Sequence, residues 1–294
     1  MKKVYNIIVL ITFIFSNSVF AEELKNKLLS TASEEVSNYV SNIIPGEGYT
    51  EFGINFRENH SPDFNILAVR ELMPLEEGNI FTQFSLFNTE SNTGKGGDER
   101  IIGNIGFGTR KLTNDNTLML GLNNFYDYDI ENEHFRTSIG LEARSAVLEA
   151  SVNRYIRLAD PYNEENVLDG WDYRLSSQFP YLHSVRLVFN GYEWEGVKRE
   201  DVKGSQYGSE ILLTPNLNLE VFYDDKDKKG LEDEWFANVQ FIYPPKEGPT
   251  LLDGFSKEAW KENRDMSGEL LDKVDRQNTI MVEFKASSTI SRTN

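Results

Sequence analysis

The chain has 294 residues, of which 39% are hydrophobic and 26% charged, with a formal net charge of −17 and no cysteine. The acidity argues against nucleic-acid binding, and the missing cysteines exclude disulfides and a lipid-anchor cysteine. Beyond the first 21 residues no apolar run approaches the roughly 20 residues that a membrane helix needs, so a helical membrane protein is excluded.

The start reads as a secretory signal peptide over 1–21: Lys2 and Lys3, an apolar run from Ile7 to Phe15, then Val19-Phe20-Ala21 as a small-residue cleavage site. Its removal leaves 28 basic against 47 acidic residues, a net charge of −19, which reads as solvated loops and a polar interior. Over 22–47, Leu24, Leu28, Ala32, Val36, Tyr39, Val40 and Ile43 recur at helical spacing and predict a short amphipathic helix. Pro45 and the Gly46-Glu47-Gly48 stretch end it.

From about Tyr49 to Tyr243 the pattern changes to period two, in about twelve segments. The first, 49–57, sets Phe52, Ile54 and Phe56 against Glu51, Gly53, Asn55 and Arg57. The next two, 63–72 and 79–88, are less regular, because Leu67, Val69, Phe81 and Phe87 fall on the nominally inner face. The fourth, 99–111, places Ile101, Ile105 and Phe107 opposite Arg100, Asn104 and Arg110, with Ile102 out of place. Leu118, Leu120, Leu122, Tyr126 and Tyr128 alternate with Gly121, Asn123, Asp127 and Asp129. Ile139 and Leu141 alternate with Arg136, Glu142 and Arg144, and Leu148, Val152 and Ile156 with Glu149, Ser151 and Asn153, Arg154 being the exception. Further segments near 171–179, 185–194, 207–214, 217–224 and 235–243 carry Trp171, Tyr173, Tyr207, Tyr223, Trp235 and Tyr243 near their ends, as interfacial girdles require.

The connectors alternate between long (88–98, 158–170, 195–206, 226–233) and compact (73–78, 112–115, 145–146, 180–184, 215–216), with 58–62 and 130–133 as short members of the first set. Long loops on one side and tight turns on the other mark an outer-membrane barrel. The expectation is an all-β, twelve-stranded antiparallel transmembrane β-barrel over 48–244, with both ends periplasmic. Pro244-Pro245 closes it, and 245–294 holds a helix from Ser256 to about Val274 and one more alternating stretch over 279–285.

Several polar groups invite a chemical reading. The strand map puts His60 and His134 at outer loops and His183 in a periplasmic turn, where histidines read as solvated polar residues, so no enzyme is expected. Asp127, Asp129, Glu131 and Glu133 cluster at one hairpin, but without a bent ligand loop they read as a charged rim; no metal or cofactor is expected. Gly94-Lys95-Gly96-Gly97 lacks the helix that a phosphate loop needs. The inward set Arg100, Asn104, Arg110, Asn123, Arg136, Glu142, Arg144, Glu149 and Arg174 reads as ion-pair ladders that stabilise the wall and can bind the tail.

Asn124-Phe125-Tyr126-Asp127-Tyr128-Asp129, Ile139-Gly140-Leu141-Glu142-Ala143, Leu148-Glu149-Ala150-Ser151-Val152-Asn153 and Gly170-Trp171-Asp172-Tyr173-Arg174 resemble the β-domain of the intimin/invasin family, the inverse autotransporters. The terminal Val274-Asp275-Arg276-Gln277-Asn278-Thr279-Ile280-Met281-Val282-Glu283-Phe284-Lys285 resembles that family's post-barrel linker. The resemblance implies a translocator whose pore-threading linker, including Arg276, Asn278, Ile280, Val282 and Phe284, leads to an exported passenger. It implies as partners outer-membrane lipid and lipopolysaccharide, the Sec export route and the barrel-assembly machinery, and a Gram-negative outer-membrane location. Only nine residues follow Lys285, so the expectation is a passenger that is minimal or absent. The alternatives are a stand-alone channel or structural barrel and a secreted β-sandwich.

Overall fold

A computed structural model describes residues 46–291 apart from 59–61, 91–98, 114, 161–164, 228–232, 262–263 and 285–289. The expected signal peptide, nearly all of the amphipathic helix, His60 and the Gly94–Gly97 loop lie outside the described residues.

Twelve antiparallel strands close into a barrel. In chain order they are β1 (Gly48–Arg57), β2 (Asp63–Leu75), β3 (Gly78–Glu90), β4 (Glu99–Thr113), β5 (Leu118–Asp129), β6 (Phe135–Ser145), β7 (Leu148–Ala159), β9 (Asp169–Phe179), β10 (Leu182–Glu195), β11 (Val202–Thr214), β12 (Leu217–Lys226) and β13 (Glu234–Tyr243), with β8 (Glu165–Val167) lying in the β7–β9 connector. Each barrel strand pairs with its chain neighbour, and β1 pairs with β13, Thr50 opposite Tyr243 and Arg57 opposite Phe236, so no edge remains open. All twelve expected segments are strands.

Side chains alternate as the period-two pattern requires. Leu120, Leu122, Ile139, Leu141, Val152 and Ile156 are exposed, whereas Asn123, Asp127, Arg136, Ser138, Glu142 and Asn153 on the same strands are buried. An apolar exterior over a polar interior inverts the soluble arrangement and suits a lipid surround.

Most of the misfits share a cause, Phe87 excepted, which lines a cavity of the lumen. Leu67, Val69, Phe81 and Phe125 do face inward, and there they pack on Val274 and Leu271 of the segment after the barrel. Ile102 likewise faces inward and packs with Val167, Ile280 and Val282. Inner-wall glycines make room: a Cβ on Gly106 would stand 2.3 Å from the Phe125 ring, and one on Gly108 2.4 Å from Phe81. Arg154 sits at the outer rim, where its Nη1 donates to Glu195 Oε1 at 2.6 Å.

The helix expected over 256–274 is not formed among the described residues. That stretch holds a single 3-10 turn at Ser267–Glu269, after another at Leu251–Asp253. Its apolar residues go to different places instead of sharing one helical face: Met266 and Leu270 pack on Leu112, Met119 and Ala146, while Leu271 and Val274 join the Phe81 cluster. Of the expected alternating stretch, Val282–Phe284 forms strand β14, which pairs antiparallel with β8 and with β15 (Ile290–Ser291).

Candidate functional site

The barrel lumen gathers almost every charged side chain singled out above, and the segment 264–284 lies against it. Its course follows from its partners. Met266 N–H donates to the carbonyl of Asn116 in the β4–β5 turn at 2.8 Å, beside an Arg264–Glu269 ion pair. Arg110 Nη1, near the turn end of β4, then donates to the carbonyls of Leu270 and Asp272 at 2.8 and 2.6 Å. Arg144 Nη2 on β6 takes the carbonyl of Lys273 at 2.7 Å, and Asn153 Nδ2 on β7 that of Asp275 at 2.9 Å. Farther up, Arg136 Nη2 donates to the Gln277 carbonyl and Asn104 Nδ2 to that of Asn278, both at 2.8 Å. Partners on β4 thus run from residue 110 to 104 to 102 as the segment runs from 270 to 278 to 280. The eight steps from 110 to 102 cover about 26 Å of strand at ~3.3 Å each, or about 20 Å of barrel height at a tilt of roughly 40°, most of the apolar band.

Residues 270–281 form neither helix nor strand, so their buried carbonyls need donors in the wall. Arginine suits this task, since its fork of donors satisfies a carbonyl while a second arm holds a carboxylate. Arg110 Nε donates to Glu142 Oε1 at 2.6 Å while Nη1 holds the segment. Arg136 Nε donates to Asp127 Oδ2 at 2.8 Å while Nη2 holds Gln277. The wall also reads amides: Val274 N–H donates to Gln83 Oε1 at 2.8 Å and Gln277 N–H to Tyr155 Oη at 2.7 Å.

Arg276 is the centre of the contact. Its Nη1 and Nη2 donate to Asp127 Oδ1 and Oδ2 at 2.9 and 2.7 Å, both side chains being fully buried. The guanidinium also stacks 4.3 Å from the Phe125 ring centroid. Asp127 therefore serves two arginines, and it further accepts from Asn104 Nδ2 at 2.7 Å.

On the other side of the lumen the fit is looser. Arg174 pairs with Glu210, and Lys273 Nζ reaches Glu220 Oε1 at 2.9 Å and Glu51 Oε1 at 3.7 Å. Between these groups a cavity of about 190 Å³ is open, and one of about 570 Å³ extends from Glu210 and Lys273 to Pro245 and Arg264 at the turn end, so both have room for waters. Glu149 pairs with Arg186 at 3.1 Å, and Asn123 is buried on the inner wall.

At the loop end, β14 adds to β8 with Val282 opposite Val167, and Leu168 N–H donates to the Met281 carbonyl at 2.9 Å. Glu283 accepts from the amides of Val197 and Lys198 in the β10–β11 loop, both at 3.1 Å. Ile280, Val282 and Phe284 pack on Ile102 beneath. In the β12–β13 loop, the Lys226 amide and the Tyr223 hydroxyl hold the Asp233 carboxyl below its usual value.

The carboxylates of the β5–β6 hairpin do not converge. Asp127 is taken by arginines, Asp129 by Arg100 and by the amides of Glu131 and Asn132, and Glu131 by the amide of Ile101. His134, expected as a solvated loop residue, is buried with Nε2 2.9 Å from Glu165 Oε2. His183 lies at the opposite end, its Nε2 3.0 Å from the Glu258 carbonyl. Sequence reasoning overlooked Tyr155, Gln83 and Glu165, gave Asn153 only an inward position, and named Phe125 and Glu283 only within the family-like stretches. For Phe125 and Tyr155 the signal was present, since an aromatic residue on the lumen parity of a polar face needs an apolar or cationic partner there.

A closed antiparallel barrel with an apolar outer belt and an arginine-lined lumen is a transmembrane barrel of the outer-membrane class. Residues 15–278 match the family model described as inverse autotransporter, beta-domain. The inverse autotransporter adhesin YeeJ of Escherichia coli K12 is 29% identical over 73% of the chain, the intimin of E. coli O157:H7 27% over 94%, and the invasin of Yersinia enterocolitica 23% over 88%. The chain spans 9% of that adhesin, 30% of the intimin and 31% of the invasin. A solved chain from the work "Unveiling the Mechanism Behind the in-meso Crystallization of Membrane Proteins" shares the fold, with a TM-score of 0.63 and 20% identity, over 81% of this chain and all of the other. The protein belongs to the inverse autotransporter β-domain family.

Proposed function

We propose that this barrel is a translocator that exports or anchors a C-terminal passenger, with residues 270–284 as the pore-threading linker. The turns then face the periplasm together with the N-terminus, and the long loops face outside. The observation that carries the reading is the ordered series of wall donors, from Arg110 to Asn104, that hold successive carbonyls of one extended segment. A wall that binds mainly backbone tolerates many sequences in passage and still holds the final one, through Arg276 and Asp127. The β8–β14 pairing and the Glu283 contacts secure the exit.

The expected partners are outer-membrane lipid and lipopolysaccharide, with delivery by the Sec route and the barrel-assembly machinery. The test is protease and surface-label accessibility, in intact cells, of an epitope placed after Asn294. A surface-exposed epitope supports the translocator; a protected epitope on a correctly inserted barrel overturns it in favour of a channel or structural role.

A further inference from the structure

Between β13 and the lumen, residues 250–261 pass beneath the turn ends of β9–β11. They are fixed there by backbone bonds. Ser256 N–H donates to the Tyr181 carbonyl at 2.7 Å, Tyr181 N–H to that of Ala259 at 3.0 Å, and Lys261 N–H to Gln178 Oε1 at 3.0 Å. Asp253 accepts from both the amide and the hydroxyl of Thr250, at 2.7 and 2.9 Å, which shapes the Leu251–Asp253 turn. Gly254, at φ +68°, then reverses the chain with no atom within 4 Å of its missing side chain.

What this fixed segment presents is apolar. Leu252 is 78% and Phe255 77% exposed, whereas Leu148 at 61% is the most exposed large hydrophobic residue of the described barrel wall. Leu251 and Trp260 are exposed beside them. A segment tied down by hydrogen bonds gains nothing by holding such side chains in water, so they call for a covering surface. The segment is bonded to the Tyr181 turn, and Phe179 and Tyr181 are themselves exposed at the end of the lipid-facing belt. The apolar surface is therefore continuous with the face that the bilayer already covers, and Trp260 and Tyr181 are the residue types that settle at headgroup depth.

We propose that residues 250–261 are an interfacial anchor, with Leu252 and Phe255 inserted into the phospholipid leaflet at the turn end of the barrel. Such an anchor would hold the stem of the tail fast just before it enters the lumen. The inference rests on the translocator reading only for the identity of that leaflet, the periplasmic one.

The native chain has no cysteine, so single labels are straightforward. An environment-sensitive fluorophore is placed on Leu252→Cys, on Phe255→Cys and on the exposed control Glu247→Cys, in the full chain reconstituted in phosphatidylethanolamine–phosphatidylglycerol vesicles. Heat-modifiable migration confirms that each barrel is folded. The anchor predicts blue-shifted emission and strong quenching by a headgroup-proximal nitroxide lipid at 252 and 255, with aqueous iodide quenching the label at 247 far more. Emission at 252 and 255 like that of the control overturns it, as does shielding from both quenchers, the pattern of a protein partner or second copy. The surface epitope test is independent of either result.

Discussion

Asp127 stands between two arginines, and this arrangement predicts an order of effects that simple contact loss does not. Arg276→Met removes two charge-assisted bonds and the longer contacts to Asn278 Oδ1 at 3.1 Å and Ser138 Oγ at 3.2 Å, but leaves Asp127 with Arg136 and Asn104. With charge-assisted bonds worth about 1.5–3 kcal/mol each and methionine keeping some contact with Phe125, docking of the tail should weaken by about 2–4 kcal/mol, or roughly 30- to 1,000-fold in the undocked population. Asp127→Asn instead leaves two fully buried guanidinium groups facing one neutral amide, and breaking a buried pair in this sense costs about 3–5 kcal/mol. The single carboxylate change should therefore be the more damaging. Adding Arg276→Met to it should restore part of the loss, because it removes one of the two crowded cations. Hydrogen exchange in detergent micelles reads this directly at the amides of Val274 and Gln277, which donate to the wall, with β9–β11 amides as internal reference. If the double variant exchanges as fast as the two single effects multiplied together, the charge-crowding argument is wrong.

The inner apolar cluster predicts that Phe81→Ala lowers resistance to denaturant unfolding by about 3–5 kcal/mol, whereas the lipid-facing Leu141→Ala loses far less because lipid refills the space. Glu283→Gln keeps the side-chain shape but halves its acceptor capacity, so cleavage of intact cells by surface protease in the loop around Val197 should accelerate, by about tenfold if one charge-assisted bond is lost. On the proposed linker reading, deletion of residues 251–294 should raise single-channel conductance, since the tail is bonded to Arg110, Arg136 and Arg144 of the inner wall; an unchanged conductance in a folded barrel would contradict that reading. The Thr250 amide and hydroxyl hold the Asp253 carboxyl below its usual value, so the turn is fully capped above the usual Asp value of about 3.9 and loses its cap as pH falls through the lower folded value. Amide exchange at Thr250, compared with the Thr250→Ala variant's neighbours across that acid range, checks the sign.

Barrel and tail were unequally legible, for a physical reason. A strand between lipid and lumen must alternate, and its neighbours must do likewise, so the period-two signal accumulates across all twelve strands and places nearly every boundary within a few residues. The tail has no such repeating environment. Met266, Leu270, Leu271 and Val274 each meet a different patch of wall, and their near-helical spacing over 256–274 is a coincidence of those separate contacts. Arg110 and Arg144 meet the carbonyls of Leu270, Asp272 and Lys273, which satisfies this buried backbone without a helix.

The same contrast turns the misfits of the sequence into its most useful residues. Leu67, Val69, Phe81 and Ile102 break the alternation where the lumen beside them holds protein, and all four belong to apolar clusters that include tail residues. A conducting pore would gain nothing from apolar side chains facing its water. Their positions run from Phe81, packed with Val274, to Ile102, packed with Ile280 and Val282, and so trace the buried path from one end of the barrel towards the other. Where such a residue joins a cluster with the tail, as Phe81 and Ile102 do, it marks a stretch of lumen filled by protein, whereas Phe87 lines the open cavity. The buried arginines beside those positions, Arg110 with Phe81 and Arg276 with Phe125, mark where that occupant is held by its backbone and by its charge.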